Sequence, residues 1–164
     1  MARLRLDEID RQILSDLQAN GRMTNVELAQ RAGISAPPCL RRVRSLENDG
    51  FIRGYHADLD SEKLGFEVIF FALIGLETQA QERLQAFETL VRDWDEVREC
   101  HMVRGGGDFL LKLYAHNTAH ENRLTQALTS APDVVRVTTF PVIRTDKTLP
   151  GVPIELAPIA ENDG

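Results

Sequence analysis

"GISAPPCLRRVRSLE", residues Gly33–Glu47, places three arginines within four positions of a chain whose formal net charge is -6. Ser35 can cap a helix, and Pro37 and Pro38 then fall in its first turn, where no intrahelical N–H donor is needed. Wound at about 100° per residue, Ala36, Leu40, Val43 and Leu46 gather on one side with Cys39 beside them. Pro38, Arg41, Arg42 and Ser45 point the opposite way, and Arg44 sits on the flank. The stretch predicts a helix with an apolar inner face and an arginine-bearing outer one.

The flanking residues give that helix its setting. Upstream, "TNVELAQRAG" begins with Thr24 as N-cap and has Glu27 three residues later, a capping box in which each side chain satisfies the other's free backbone N–H. Leu28, Ala29 and Ala32 turn inward, and Gly33 ends this short helix. Further upstream, "LDEIDRQILSDLQANG" carries Leu6, Ile9, Ile13, Leu14 and Leu17 at helical spacing, stopped by Asn20-Gly21. A short capped helix, a glycine turn and a further helix form a helix-turn-helix pattern. Arginine in the exposed N-terminal half of the last helix suits phosphate contact and guanine readout. Downstream, in "DGFIRGYHADLD", Gly50 ends the helix and Phe51–Leu59 alternate as two short strands. These predict a wing in which Arg53 or His56 can touch phosphates.

Charge separates this module from the rest. Residues 1–60 hold nine arginines against nine acidic residues, whereas residues 61–164 hold ten basic against sixteen acidic. The whole negative balance belongs to the second part, so a polyanion partner is expected for the first part alone. Cys39 and Cys100 have no CxxC partner and read as free thiols of a reducing cytoplasm. The N-terminus lacks the apolar core of a signal peptide, and no apolar run is long enough to span a bilayer.

The second part reads as strands and helices in alternation. "FEVIFFALIGLE" is rich in β-branched and aromatic residues and predicts a strand. "QAQERLQAFETLVRDW" sets Leu84, Phe87, Leu90, Val91 and Trp94 on one helical face. "VRECHMVRG" and "GDFLLKLYA" are strands. "TAHENRLTQALTSAP" is a helix with Leu124, Ala127, Leu128 and Ala131 inward. "VVRVTTFPVI" is a last strand whose Pro141 suits an edge or bulge. The order βαββαβ is ferredoxin-like. The expected organisation is α+β: a winged helix-turn-helix domain at 1–60, a linker at 61–66, a ferredoxin-like ligand-binding and assembly domain at 67–145, and a Pro-rich, extended tail at 146–164, disordered at its end.

From Leu6 to about Ile143 the chain resembles the Lrp/AsnC (leucine-responsive regulatory protein) family of transcription regulators. The stretch from "LDEIDRQILSDLQANG" to "GYHADLD" carries the DNA-binding half of the resemblance, and "ECHMVRGGGDFLLK" the effector half. The resemblance implies sequence-specific binding to double-stranded DNA. The expected DNA-facing set is Thr24, Asn25, Ser35, Pro37, Pro38, Arg41, Arg42, Arg44, Ser45 and Arg53. It also implies dimers that associate further, often to octamers of four dimers, and a small amino-acid effector bound between subunits in the cytoplasm. By that match Met102, Arg104, Gly105, Gly106, Gly107 and Asp108 surround the effector, with Phe140 and Val142 as walls. A glycine loop's backbone N–H groups suit a carboxylate and Asp108 suits an ammonium, while Asp108 can equally cap the turn. The family often carries a polar or acidic residue after the first glycine of this loop and a larger one before the aspartate. Here both are glycine, which weakens side-chain selectivity in this loop.

Other chemistries find no support in the residues. "RGGGD" lacks the lysine and Ser/Thr of a P-loop. His56, His101, His116 and His120 are scattered, and no metal site, cofactor or catalytic constellation is expected. Two alternatives stay open on sequence grounds: a nucleoid-organising DNA binder without effector control, and a small-molecule-binding regulatory subunit of an enzyme complex.

Overall fold

Capping boxes open both of the first two helices. In the computed structural model, which describes residues 6–156, α1 spans Glu8–Ala19. Its N-cap Asp7 accepts from the Asp10 N–H at 2.8 Å, and Asp10 accepts in return from the Asp7 N–H. Helix α2 spans Asn25–Arg31 and has the expected Thr24–Glu27 box. Gly33 then turns the chain with φ +68°, a left-handed conformation that glycine adopts without a steric penalty. Helix α3 spans Ala36–Asn48, preceded by Ser35 as N-cap with no side-chain capping bond.

The core of this unit is Ile13, Leu17, Leu28, Ala29, Cys39 and Leu46. Leu40, expected inward, is 39% exposed. Cys39, Val43 and Leu46 hold the inner seam instead, and the next residue along a helix turns about 100° away from its neighbour. The expected wing strands are absent: residues 51–59 are irregular among the described residues. Their one backbone hydrogen bond runs from the Ile52 N–H to the Leu46 carbonyl. A strand needs a paired neighbour, and this stretch has none within the described chain.

The tail, extended among the described residues, groups with the first unit. Residues 147–156 belong with residues 6–58 in one compact unit, and Leu59–Asp146 form the other. Gln18 of α1 makes two bonds to Val152: its Nε2 donates to the carbonyl at 2.7 Å, and its Oε1 accepts from the N–H at 3.0 Å. Arg11 Nη1 donates to the Glu155 carbonyl at 3.3 Å. An extended segment thus satisfies its backbone on helix side chains. The disorder expected of the final residues concerns positions 157–164, which lie outside the described residues.

In the second unit, β1 (Val68–Leu76), α4 (Gln81–Arg92), β2 (Val97–Met102), β3 (Phe109–Ala115), α5 (Thr118–Thr129) and β4 (Val134–Pro141) follow the expected βαββαβ order. The sheet is antiparallel with order β2-β3-β1-β4. Alternation along β1 sends Phe70, Ala72 and Ile74 into a core with Phe109, Leu111 and Leu113 of β3 and with Phe87, Val91, Leu124 and Leu128 of the helices. Leu90 and Ala127, expected inward, are exposed. Pro141 closes β4, an edge strand where its missing N–H costs no ladder bond. The residues expected as a linker, 61–66, are ordered into this unit. Phe66 stacks on His116 at 4.3 Å between ring centroids, and His116 Nδ1 donates to the Gly65 carbonyl at 2.7 Å.

Candidate functional site

Helices α2 and α3 present a surface whose parts have different duties. Asn25 Nδ2 donates to the Ala36 carbonyl at 2.8 Å, which pins the start of α2 to the start of α3. Thr24 is occupied by its capping box, and Ser45 Oγ bonds the Asp49 carboxylate at 3.0 Å. These polar groups shape the motif from within. Arg42 differs most from expectation. Its Nη1 lies 2.7 Å from both Asp7 Oδ2 and Asp10 Oδ1, so it fastens α3 to the capping box of α1 instead of facing outward. The backbone N–H of Asp10, followed by Arg42, holds the Asp7 carboxyl below its ordinary range.

What remains free on α3 is Ser35, Pro37, Arg41 and Arg44, all exposed, with Pro38 half-buried. No carboxylate among the described residues pairs with Arg41 or Arg44. Arg53, in the irregular segment after α3, is exposed as well. One face of α3 therefore carries two guanidinium groups without a carboxylate partner among the described residues, spaced three residues apart and so on one side of the helix. That pattern matches a phosphate-lined groove.

The second candidate site is a cleft of about 450 Å³ lined by Gly75, Leu76, Gln79, Gly105, Gly107, Asp108, Val135 and Arg136. Three of the expected effector residues, Gly105, Gly107 and Asp108, line it. Gly107 runs so close to β1 that a Cβ would sit 2.8 Å from the Ile74 carbonyl oxygen and from Leu73 Cγ. Asp108 is buried. Its Oδ2 accepts from the Leu76 N–H at 2.7 Å and its Oδ1 from Gln79 Nε2 at 2.8 Å. The register of β1 against β4 shifts between Gly75 and Leu76, and Asp108 supplies the Leu76 N–H with a side-chain acceptor at that irregularity.

Phe140 and Val142 do not line this cleft. Strands β1 and β4 run antiparallel, with Gly75 opposite Arg136 and Phe71 opposite Phe140. The start of β4 therefore lies beside the glycine loop, and Phe140 stands about 13 Å further along the strand. Met102, at the end of β2, and Arg104 are exposed and line no part of it. Arg136 and Gln79 were missed by sequence reasoning. No local pattern singles them out, because only the β1–β4 register and the fold of the loop bring them to Asp108. Among the described residues no group of His, Cys, Asp or Glu is arranged to hold a metal ion, and no helix is long and apolar enough to cross a membrane.

Comparison with known proteins assigns a family to each half of the chain. Residues 6–53 match the winged helix-turn-helix DNA-binding family, and residues 69–152 match the Lrp/AsnC ligand binding domain. The leucine-responsive regulatory protein of Rhizobium meliloti (strain 1021) is 48% identical over 145 residues, covering 88% of this chain and 93% of that one. The protein of the same name from Escherichia coli (strain K12) is 42% identical over 139 residues, covering 84% and 85%. Among solved structures, a transcriptional regulator from Neisseria meningitidis in complex with L-Met superposes with a TM-score of 0.86 at 33% identity, covering 91% of this chain and 97% of that one.

Proposed function

The chain belongs to the Lrp/AsnC family of DNA-binding transcription regulators with a ligand-binding domain, and from that premise we propose a finer division of roles. Arg41 and Arg44 of α3 carry the contact with double-stranded DNA, with Arg53 adding a phosphate contact. The cleft at Gly105–Asp108 receives an effector of amino-acid size. The observation that carries the DNA assignment is the exposed, carboxylate-free pair Arg41 and Arg44 beside an Arg42 committed to α1. The observation that supports the effector assignment is a glycine-walled cleft inside the segment matching the Lrp/AsnC ligand binding domain. The relative solved with L-Met supports an amino acid as the first class to try.

The reading places the protein in the cytoplasm, working on DNA as a dimer or a larger assembly of dimers, with no catalytic role for any residue. Band-shift measurements across a salt series test its DNA part. Removing one phosphate-binding cation should reduce the slope of log K against log salt by about 1. Arg44→Ala should do this for every sequence alike, whereas Arg41→Ala should weaken a specific site most. Binding and salt slope unchanged in the Arg41→Ala/Arg44→Ala double variant would remove α3 as the DNA-contacting helix. An effector-independent, nucleoid-organising role is the reading that remains if DNA binds and no amino acid changes that binding.

A further inference from the structure

The cleft of the second unit holds a cation outside the DNA-contacting helix, Arg136. Arg136 is exposed on β4 and its Nη2 donates to the Gly106 carbonyl. A carbonyl is a neutral acceptor, and no carboxylate among the described residues pairs with this guanidinium. Gly75 lies opposite it on β1, where a Cβ would stand in ordinary contact, at 3.5 Å, with Arg136 Cβ, Nε and Nη2. The guanidinium thus lies beside the glycine loop and lines the cleft.

Asp108, the acidic residue in the same cleft, is in the opposite situation. Both carboxylate oxygens accept from donors of its own chain, Leu76 N–H and Gln79 Nε2. Its backbone is committed too, with the N–H donating to the Ile74 carbonyl and the carbonyl accepting from the Val103 N–H. The carboxylate is buried and engaged in holding the loop against β1. The three glycines of the loop add no side chain that could compete for a ligand's polar groups.

We propose that Arg136 anchors the carboxylate of a small organic acid in this cleft, and that recognition rests on that carboxylate and not on an α-ammonium group. A guanidinium offers two parallel N–H donors to a carboxylate, a stronger and more directional pairing than the single carbonyl it now holds. The partners of Asp108 are neutral donors too, but the residue is buried and both oxygens are already bonded within the chain, so an ammonium gains less from it than a carboxylate gains from the exposed Arg136. A 2-oxo acid should therefore bind as well as the amino acid with the same side chain. The inference rests on the reading of this cleft as the effector site and names the chemical class that it takes.

Calorimetry on the full chain with L-leucine, 4-methyl-2-oxopentanoate and 3-methylbutylamine tests it, alongside Arg136→Gln and Arg136→Lys. The two acids should bind within about threefold of each other and the amine not at all. Arg136→Gln, with an unchanged Tm showing that the fold is kept, should weaken both acids about tenfold or more, and Arg136→Lys should restore part of the loss. Leucine binding without binding of the oxo acid would overturn the carboxylate-only class. Binding of both acids undiminished in Arg136→Gln would overturn the anchor while leaving the cleft as effector site. No heat from any of the three in the unaltered chain would remove the effector reading, and this proposal with it.

Discussion

Asp16 lies in α1 with 4% of its surface exposed, and Arg31 of α2 reaches it at 2.7 Å. Burial pushes the Asp16 carboxyl up, but hydrogen bonds from Arg31 and Gln12 pull it further down, so it ends below the usual carboxylate range. A carboxyl depressed in the folded state stabilises the fold at every pH above its unfolded value and ceases to do so as pH falls through the folded one. The denaturation midpoint should therefore hold steady down to about pH 5 and drop below about pH 4. Asp16→Asn should flatten part of that acid dependence and cost about 1–3 kcal/mol at neutral pH, read by urea titration at several pH values. Gly107 is a second decisive residue. A methyl group there meets the Ile74 carbonyl and Leu73 at 2.8 Å, and backbone cannot yield as a side-chain tip can. Gly107→Ala should lower stability by about 1–3 kcal/mol and displace the loop from the cleft, seen as a lower Tm together with a missing effector response.

Helix α3 shows how three arginines of one element divide their work. Its sequence predicts the helix, the proline-bearing first turn and the outward arginines, and all these come from properties that neighbouring residues share. Whether an outward arginine is free depends on what stands opposite it. Arg42 meets Asp7 and Asp10, 35 and 32 residues away in sequence, and helical periodicity carries no information about such a partner. The expected consequence separates two adjacent variants. Arg42→Ala should cost about 1 kcal/mol of stability, since the ion pairs are half-exposed, and should alter DNA binding only through that destabilisation. Arg41→Ala should leave Tm unchanged and weaken specific DNA binding by about 1–3 kcal/mol. Thermal unfolding and band-shift titration of the two variants, run side by side, check both halves.

The sheet of the second unit has helices on one face only. Phe70, Ala72 and Ile74 of β1 are buried beneath them, while Ile69, Phe71 and Leu73 on the other face stay partly open to solvent. Phe140, paired with Phe71 across β1 and β4, is 50% exposed. A central strand apolar on both faces needs a cover on each, and a dimeric helix-turn-helix protein reads two half-sites. The protein is accordingly expected as a dimer or larger at micromolar concentration. Phe71→Asp should yield monomers that bind DNA far more weakly, and light scattering with band-shift titration measures both. A dimer that survives Phe71→Asp would place the subunit contact elsewhere.

The sequence by itself determined the elements and their kind. Capping residues, glycine stops and the periods of apolar residues are local, and they act over a few neighbouring positions whatever the rest of the chain does. The helix-turn-helix, the βαββαβ order and the glycine loop were legible for that reason. Only the tertiary structure decided what each exposed or polar group was left to do. It gave Arg42 to α1 and Leu40 to the surface, and residues 51–59 found no strand to pair with. It bound residues 147–156 to Gln18 and Arg11. It committed Asp108 to the loop and brought Arg136 to the cleft. Each of these outcomes depends on a partner distant in the chain, and hydrogen bonds and ion pairs are satisfied by whichever group the fold places within about 3 Å, which no local pattern encodes.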